Sequence, residues 1–111
     1  MNLEYNELLA SGVEHLANGL ASSNRLISLN LKGNGIRDEG LEILSRALYD
    51  NKNLEDLDVS LNEITPIGIQ YLAESLVSCS IKTLNLSKNL LGDESLIIIA
   101  DCATTTEGLT L

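Results

Sequence analysis

No phenylalanine or tryptophan occurs anywhere in this 111-residue chain, tyrosine appears only three times and proline once. With 44% of residues hydrophobic, leucine and isoleucine rather than aromatic rings must build the core. Cysteine is also scarce. Cys79 and Cys102 are too few for a disulfide framework, and no Cys-x-x-Cys pair or Cys/His cluster is present to ligate a metal, so neither metal nor cofactor is expected. Basic residues are outnumbered seven to sixteen by acids, giving a net charge of -9 and a pI near 4.3. Such a surface repels polyanions, which argues against nucleic acid and anionic membrane as partners. The longest apolar run, LIIIA at residues 96–100, is far short of the roughly 18 residues that a membrane span needs. The opening MNLEYNELLASG lacks the basic stretch and apolar core of a signal peptide. A cytoplasmic protein of one small domain is the expectation, with secretion as an effector as the alternative.

What the chain does contain is a repeat. LISLNLKGN at residue 26 recurs as LEDLDVSLN at 54 and IKTLNLSKN at 81, in steps of 28 and 27. The alignment extends further, through Ile36, Ile64 and Leu91, then Gly40, Gly68 and Ser95, then Leu44, Leu72 and Ile99. Stepping back 28 residues from Leu31, Asn34, Ile36, Gly40, Leu44 and Leu48 reaches Leu3, Asn6, Leu8, Gly12, Leu16 and Leu20. A fixed period across the whole chain marks a solenoid. Its division is a partial repeat at 1–25, repeats at 26–53, 54–80 and 81–108, and the start of another strand at 109–111.

Two periodicities alternate within each repeat. Leu29 and Leu31, Leu57 and Val59, and Leu84 and Leu86 flank polar residues with the period of two of a strand. Downstream, Leu41, Ile43, Leu44, Ala47 and Leu48 lie on one face of a helix. Thr65 suits a helix cap with Pro66 at the first helical position, and Asp38-Glu39 and Asp93-Glu94 put acids in first turns, where the helix dipole favours them. The spacing predicts strands over 27–31, 55–59 and 82–86, and helices over 9–20, 38–50, 66–77 and 93–103. Strands repeated in one direction must be parallel, and helices wider than the strand spacing curve the stack with its sheet inside.

The consensus LxxLxLxxNxIxxxGxxxLxxxL at this period resembles the ribonuclease-inhibitor-like class of leucine-rich repeats over nearly the whole chain. The resemblance implies an α/β horseshoe, a curved parallel sheet with helices on the convex side, that binds another protein without catalysis. Members of the class also include GTPase-activating proteins, so regulation of a small GTPase is the alternative, and a structural spacer or shield within a larger protein is a third reading.

The residues assign roles along that frame. Asn6, Asn34, Asn62 and Asn89 stand where the chain leaves the sheet, and an amide with both donor and acceptor suits the backbone groups of such a turn, so a structural asparagine ladder is expected. Outward strand positions give the concave grid: Ser28, Asn30, Lys32, Asp56, Asp58, Ser60, Thr83, Asn85 and Ser87. Its mildly acidic centre suits a partner with a basic surface. Asp56 and Asp58 stand roughly 6.6 Å apart along one strand, a separation reminiscent of a glycosidase pair. An open sheet provides no pocket to raise one pKa, so an acidic contact patch or an inert solvated face is the better reading. GNGIRDEG looks superficially like a nucleotide-binding turn, but its third glycine falls two positions late and no phosphate-loop Lys-Ser/Thr follows. His15 aligns with Ile43, Tyr71 and Ile98 and is expected partly buried. Cys102 aligns with small residues and is expected to pack as a small hydrophobe.

The third repeat departs from the pattern. Ile97 stands where Glu14, Glu42 and Gln70 stand, making it a candidate apolar contact on an otherwise polar helix face. Neither end carries a polar capping unit, which solenoids need to cover their cores. Three explanations stay open: a fragment of a longer array, a complete small protein with atypical ends, or self-association that buries the ends.

Overall fold

The structure, a computed structural model, describes residues 1–22, 25–76, 80–102 and 108–110. Helix and strand alternate as α1 (Leu9–Ser22), β1 (Ser28–Asn30), α2 (Arg37–Asp50), β2 (Asp56–Asp58), α3 (Pro66–Leu76), β3 (Thr83–Asn85), α4 (Asp93–Cys102) and β4 (Gly108–Thr110). The four strands form one parallel sheet in chain order. Registers follow the repeat: Ser28 faces Asp56 and then Thr83, and Asn30 faces Asp58 and then Asn85. Asn2 adds a parallel bridge to Asn30, extending the sheet beyond β1. The strands are shorter than the predicted five residues, yet their flanks still pair across the stack. Leu31 N donates to Asp58 O at 2.8 Å, and Val59 N to Asn85 O at 3.0 Å.

The core lies between the sheet and the row of helices. Leu29, Leu31, Leu57, Val59, Leu84 and Leu86 point inward from the strands and are buried. They meet Leu41, Leu44 and Leu48 of α2, Ile69, Leu72 and Leu76 of α3, and Ile99 of α4. Each helix packs on its sequence neighbours, α1 on α2, α2 on α3 and α3 on α4. The apolar face that one repeat offers is therefore covered by the next, as the physics of stacked units requires.

Two expectations need correction or restriction. His15 is exposed rather than partly buried, because its position lies at the helix margin and α1, among the described residues, has a helix on one side only. Cys79, Ala103 and Leu111 lie outside the described residues, as does the side chain of Cys102. No helix among the described residues is long and apolar enough to cross a membrane.

Candidate functional site

The outward residues of β1, β2 and β3 converge on one shallow concavity of about 310 Å³. Its lining includes Ser28, Asn30, Asp56, Asp58, Thr83 and Asn85. Parallel pairing brings them together, because residues of equal repeat position become neighbours across the sheet. Side chains in this row are already engaged with one another. Thr83 Oγ1 donates to Asp56 Oδ1, and Asn85 Nδ2 lies 3.4 Å from Asp58 Oδ2. Asn30 Nδ2 donates to Glu4 Oε2 at 3.3 Å, which draws a further carboxylate to the rim.

The individual positions narrow the expected grid. Ser60 is only 1% exposed, and its Oγ donates to Asp58 Oδ1 at 2.6 Å, so it supports the neighbouring carboxylate instead of facing a partner. Asp58 also accepts from Ser60 N at 2.9 Å, an Asx turn that closes the end of β2. Asn30 does the same with Lys32 N at 3.0 Å and Asn85 with Ser87 N at 3.0 Å. Each of these side chains thus spends one oxygen on the turn that ends its own strand, a role the alternating pattern did not reveal. Lys32 and Ser87 are half-buried, Ser28 and Thr83 are exposed, and Ile97 on α4 is exposed and remote from the sheet face.

Behind the grid, the asparagines connect the repeats. Asn34 Oδ1 accepts from Asn6 N at 2.8 Å, Asn62 Oδ1 from Asn34 N at 2.9 Å, and Asn89 Oδ1 from Asn62 N at 2.8 Å. Their Nδ2 groups donate to carbonyls of the strand exit, as Asn62 does to Leu31 O and Ser60 O, both at 2.9 Å. Asn6 is exposed, and its amide reaches Leu3 O and Glu4 O of its own repeat.

Two further connectors escaped the sequence reading. Asp38, expected to serve the dipole of its own helix, reaches the next one. Its carboxylate accepts from Thr65 N at 2.8 Å, from Thr65 Oγ1, and from Gly68 N at 3.1 Å. Thr65 Oγ1 in turn accepts from Ile67 N at 3.3 Å, so α3 carries a cap of its own beside the one supplied by α2. Asn51, at the end of α2, donates to Leu20 O at 2.9 Å and accepts from Asn53 N and Leu54 N at 2.8 Å. No equivalent asparagine recurs one period away, so the repeat gave no signal for it.

Comparison with known proteins places this geometry. A family model for leucine-rich repeats matches residues 22–45, 50–73 and 77–100. No curated protein sequence matches the chain. Among solved structures, actin-binding site 2 of leiomodin-1 superimposes with a TM-score of 0.88 at 18% identity, over 99% of this chain and 68% of that one. The tropomodulin C-terminal domain of Caenorhabditis elegans does so with a TM-score of 0.71 at 22% identity, over 87% of this chain and 60% of that one. At such identities the likeness is one of fold. The three matched segments cover most of the chain, and strand and helix alternate at a step of 27–28 residues, so the protein belongs to the leucine-rich repeat family in its ribonuclease-inhibitor-like form.

Proposed function

We propose that the protein is a non-catalytic binding module that recognises a protein partner through its concave strand face. The observation that carries this reading is the gathering of Ser28, Asn30, Asp56, Asp58, Thr83 and Asn85 around one concavity, within which Thr83 bonds Asp56 and Asn85 bonds Asp58 across the strands. A preorganised polar grid loses little side-chain entropy on docking. With Asp56 and Asp58 at its centre and Glu4 at its rim, the face favours a partner presenting lysine or arginine in a cytoplasmic setting. An open, acidic strand face suits contact better than chemistry.

The test is paired capture and binding, with the native chain beside an Asp56→Lys/Asp58→Lys variant matched to it in thermal unfolding. Actin, whose binding site on leiomodin-1 shares this fold, is the first bait, followed by whole lysate. A partner held by the native chain and released by the variant supports the concave face. Partners held equally by both would refute it. A small-GTPase turnover assay run alongside should show an unchanged hydrolysis rate, and acceleration would move the reading to the regulatory alternative.

A further inference from the structure

The edge where strands turn into helices carries an anomaly that the concave reading leaves unused. Tyr5, Gly33, Leu61 and Lys88 occupy one position in successive repeats, and all four adopt positive φ, at 56°, 68°, 53° and 57°. Glycine takes this left-handed conformation freely, whereas a side chain with a Cβ is strained there. Gly33 proves that the fold accepts glycine at this position. Leu61 is 41% exposed, so burial does not account for a leucine there. Tyr5 is 58% exposed and Leu90, two residues beyond Lys88, is 65% exposed. The same left-handed conformation recurs at Glu7, Gly35 and Glu63, so the turn imposes it; what the turn does not require is that Tyr5, Leu61 and Leu90 leave apolar surface exposed together on one edge.

These residues enclose a groove of about 400 Å³, lined by Tyr5, Gly33, Gly35, Leu61, Glu63, Lys88 and Leu90. Two of these lining residues are glycines. A Cβ on Gly33 would come within 2.5 Å of the Tyr5 ring, so the bare backbone is what lets the tyrosine lie there as a wall. The charges are as specific as the apolar surface. Arg37, Arg46 and Lys82 are paired with carboxylates, at 2.8, 2.7 and 3.1 Å. Glu63, the groove's own carboxylate, is the one held by Arg37. Lys88 has no carboxylate partner among the described residues, and Lys32 meets the Tyr5 ring, 5.8 Å from its centroid. In a chain of net charge -9, two ammonium groups without carboxylates among the described residues flank one apolar groove.

We propose that this loop-edge groove is a second contact surface, which takes an apolar side chain of a protein partner with an adjacent carboxylate held by Lys88. It stands apart from the concave face, whose centre has the opposite sign, and its test does not depend on that reading. N-acetyl-leucine, an apolar side chain joined to a carboxylate, is the minimal probe, with its neutral amide as control. Titration is followed by the backbone amide signals of the whole protein.

Saturable shifts at Gly33, Gly35, Leu61, Lys88 and Leu90, at millimolar probe, are the expected result. Lys88→Gln should abolish the preference for the acid over the amide, and Leu61→Gly should weaken binding about fivefold while keeping the backbone that Gly33 already adopts. Leu90→Gln, at a residue of ordinary backbone conformation, supplies an independent wall variant with the same expected loss. Shifts that stay linear, that fall on the strands instead, or that survive all three substitutions would overturn the proposal. So would groove signals that move with protein concentration alone, since the occupant would then be a second copy of the chain.

Discussion

Replacing Asn62 by alanine isolates the contribution of the asparagine ladder, and its cost can be worked from the bonds. The side chain is 0% exposed. Through Oδ1 it accepts from Asn34 N at 2.9 Å and Ile36 N at 3.3 Å, and through Nδ2 it serves Leu31 O and Ser60 O. The two carbonyls keep other partners after truncation, because Leu31 O also accepts from Asn34 Nδ2 at 2.9 Å and Ser60 O from Gly33 N at 3.1 Å. The two N–H groups do not. Each buried donor left unpaired costs about 1–3 kcal/mol, and the longer of the two bonds belongs at the low end. The vacated volume adds about 1 kcal/mol, for a total of roughly 3–5 kcal/mol. That is a large share of the roughly 5–15 kcal/mol that holds a small domain together.

Asn6→Ala is the internal control, since Asn6 is exposed and its amide bonds stay within its own repeat; about 0.5–1 kcal/mol is expected there. Asn62→Leu, close to isosteric, removes the polar atoms without the cavity and should retain most of the loss. Chemical denaturation followed by circular dichroism measures all three. Amide exchange gives the local readout, with faster exchange at Asn34 and Ile36 than at Leu29 or Leu57. Equal costs for Asn62→Ala and Asn6→Ala, or undiminished protection of those two amides, would refute the reasoning.

Three further perturbations follow from contacts described above. Gly68→Ala should destabilise by about 1–3 kcal/mol, because its Cβ would overlap Asp38 Oδ1 and sit 3.2 Å from Asp38 Cα. The same change in an Asp38→Ala background should cost about 1 kcal/mol less, and a double-mutant cycle with no coupling would contradict the clash. Leu61→Gly should leave stability unchanged or raise it by up to about 1 kcal/mol in thermal unfolding, as relief of left-handed strain offsets the greater freedom of the unfolded chain. A loss above that size would mean the exposed leucine has an internal role. Asn51→Ala should cost about 2–3 kcal/mol, since Asn53 N and Leu54 N lose their acceptor; a change within error would show that water replaces it.

Much of the fold was legible because a solenoid states each instruction several times. The alternation around Leu29 and Leu31 is ambiguous alone, but its return at Leu57 and Leu84 fixes strand, direction and register together. Six outward positions followed from the same alternation and line the concavity, whereas Lys32, Ser60 and Ser87 do not line it. These three lie two residues past the end of each strand, where an Asx turn rather than the strand's alternation sets the backbone. Asp38 shows a second limit. Its position in a first turn suggested an effect on its own helix, and only the distance to Thr65 in three dimensions reveals the neighbour it caps. Asn51 occurs in a single repeat, which a search for periodicity discards as an exception, while the groove combines one recurring turn position whose residues differ in kind, Tyr5, Gly33, Leu61 and Lys88. Left-handed backbone at Leu61 and Lys88 is signalled by nothing but alignment with Gly33.

The asparagine ladder and the Asp38 cap cross the repeat boundary in opposite directions. Each ladder oxygen completes the turn of the repeat before it, while the Asp38 carboxylate completes the helix of the repeat after it. A boundary cut anywhere therefore severs half of some bonding pair, yet a cut and splice one whole period apart restores the ladder at once. Genes for such a protein can lengthen or shorten in steps of 27 or 28 codons at little chemical cost, whereas losing one codon near Asn62 breaks donors on both sides. Length in this architecture is thus a freely inherited quantity, and phase is the constrained one.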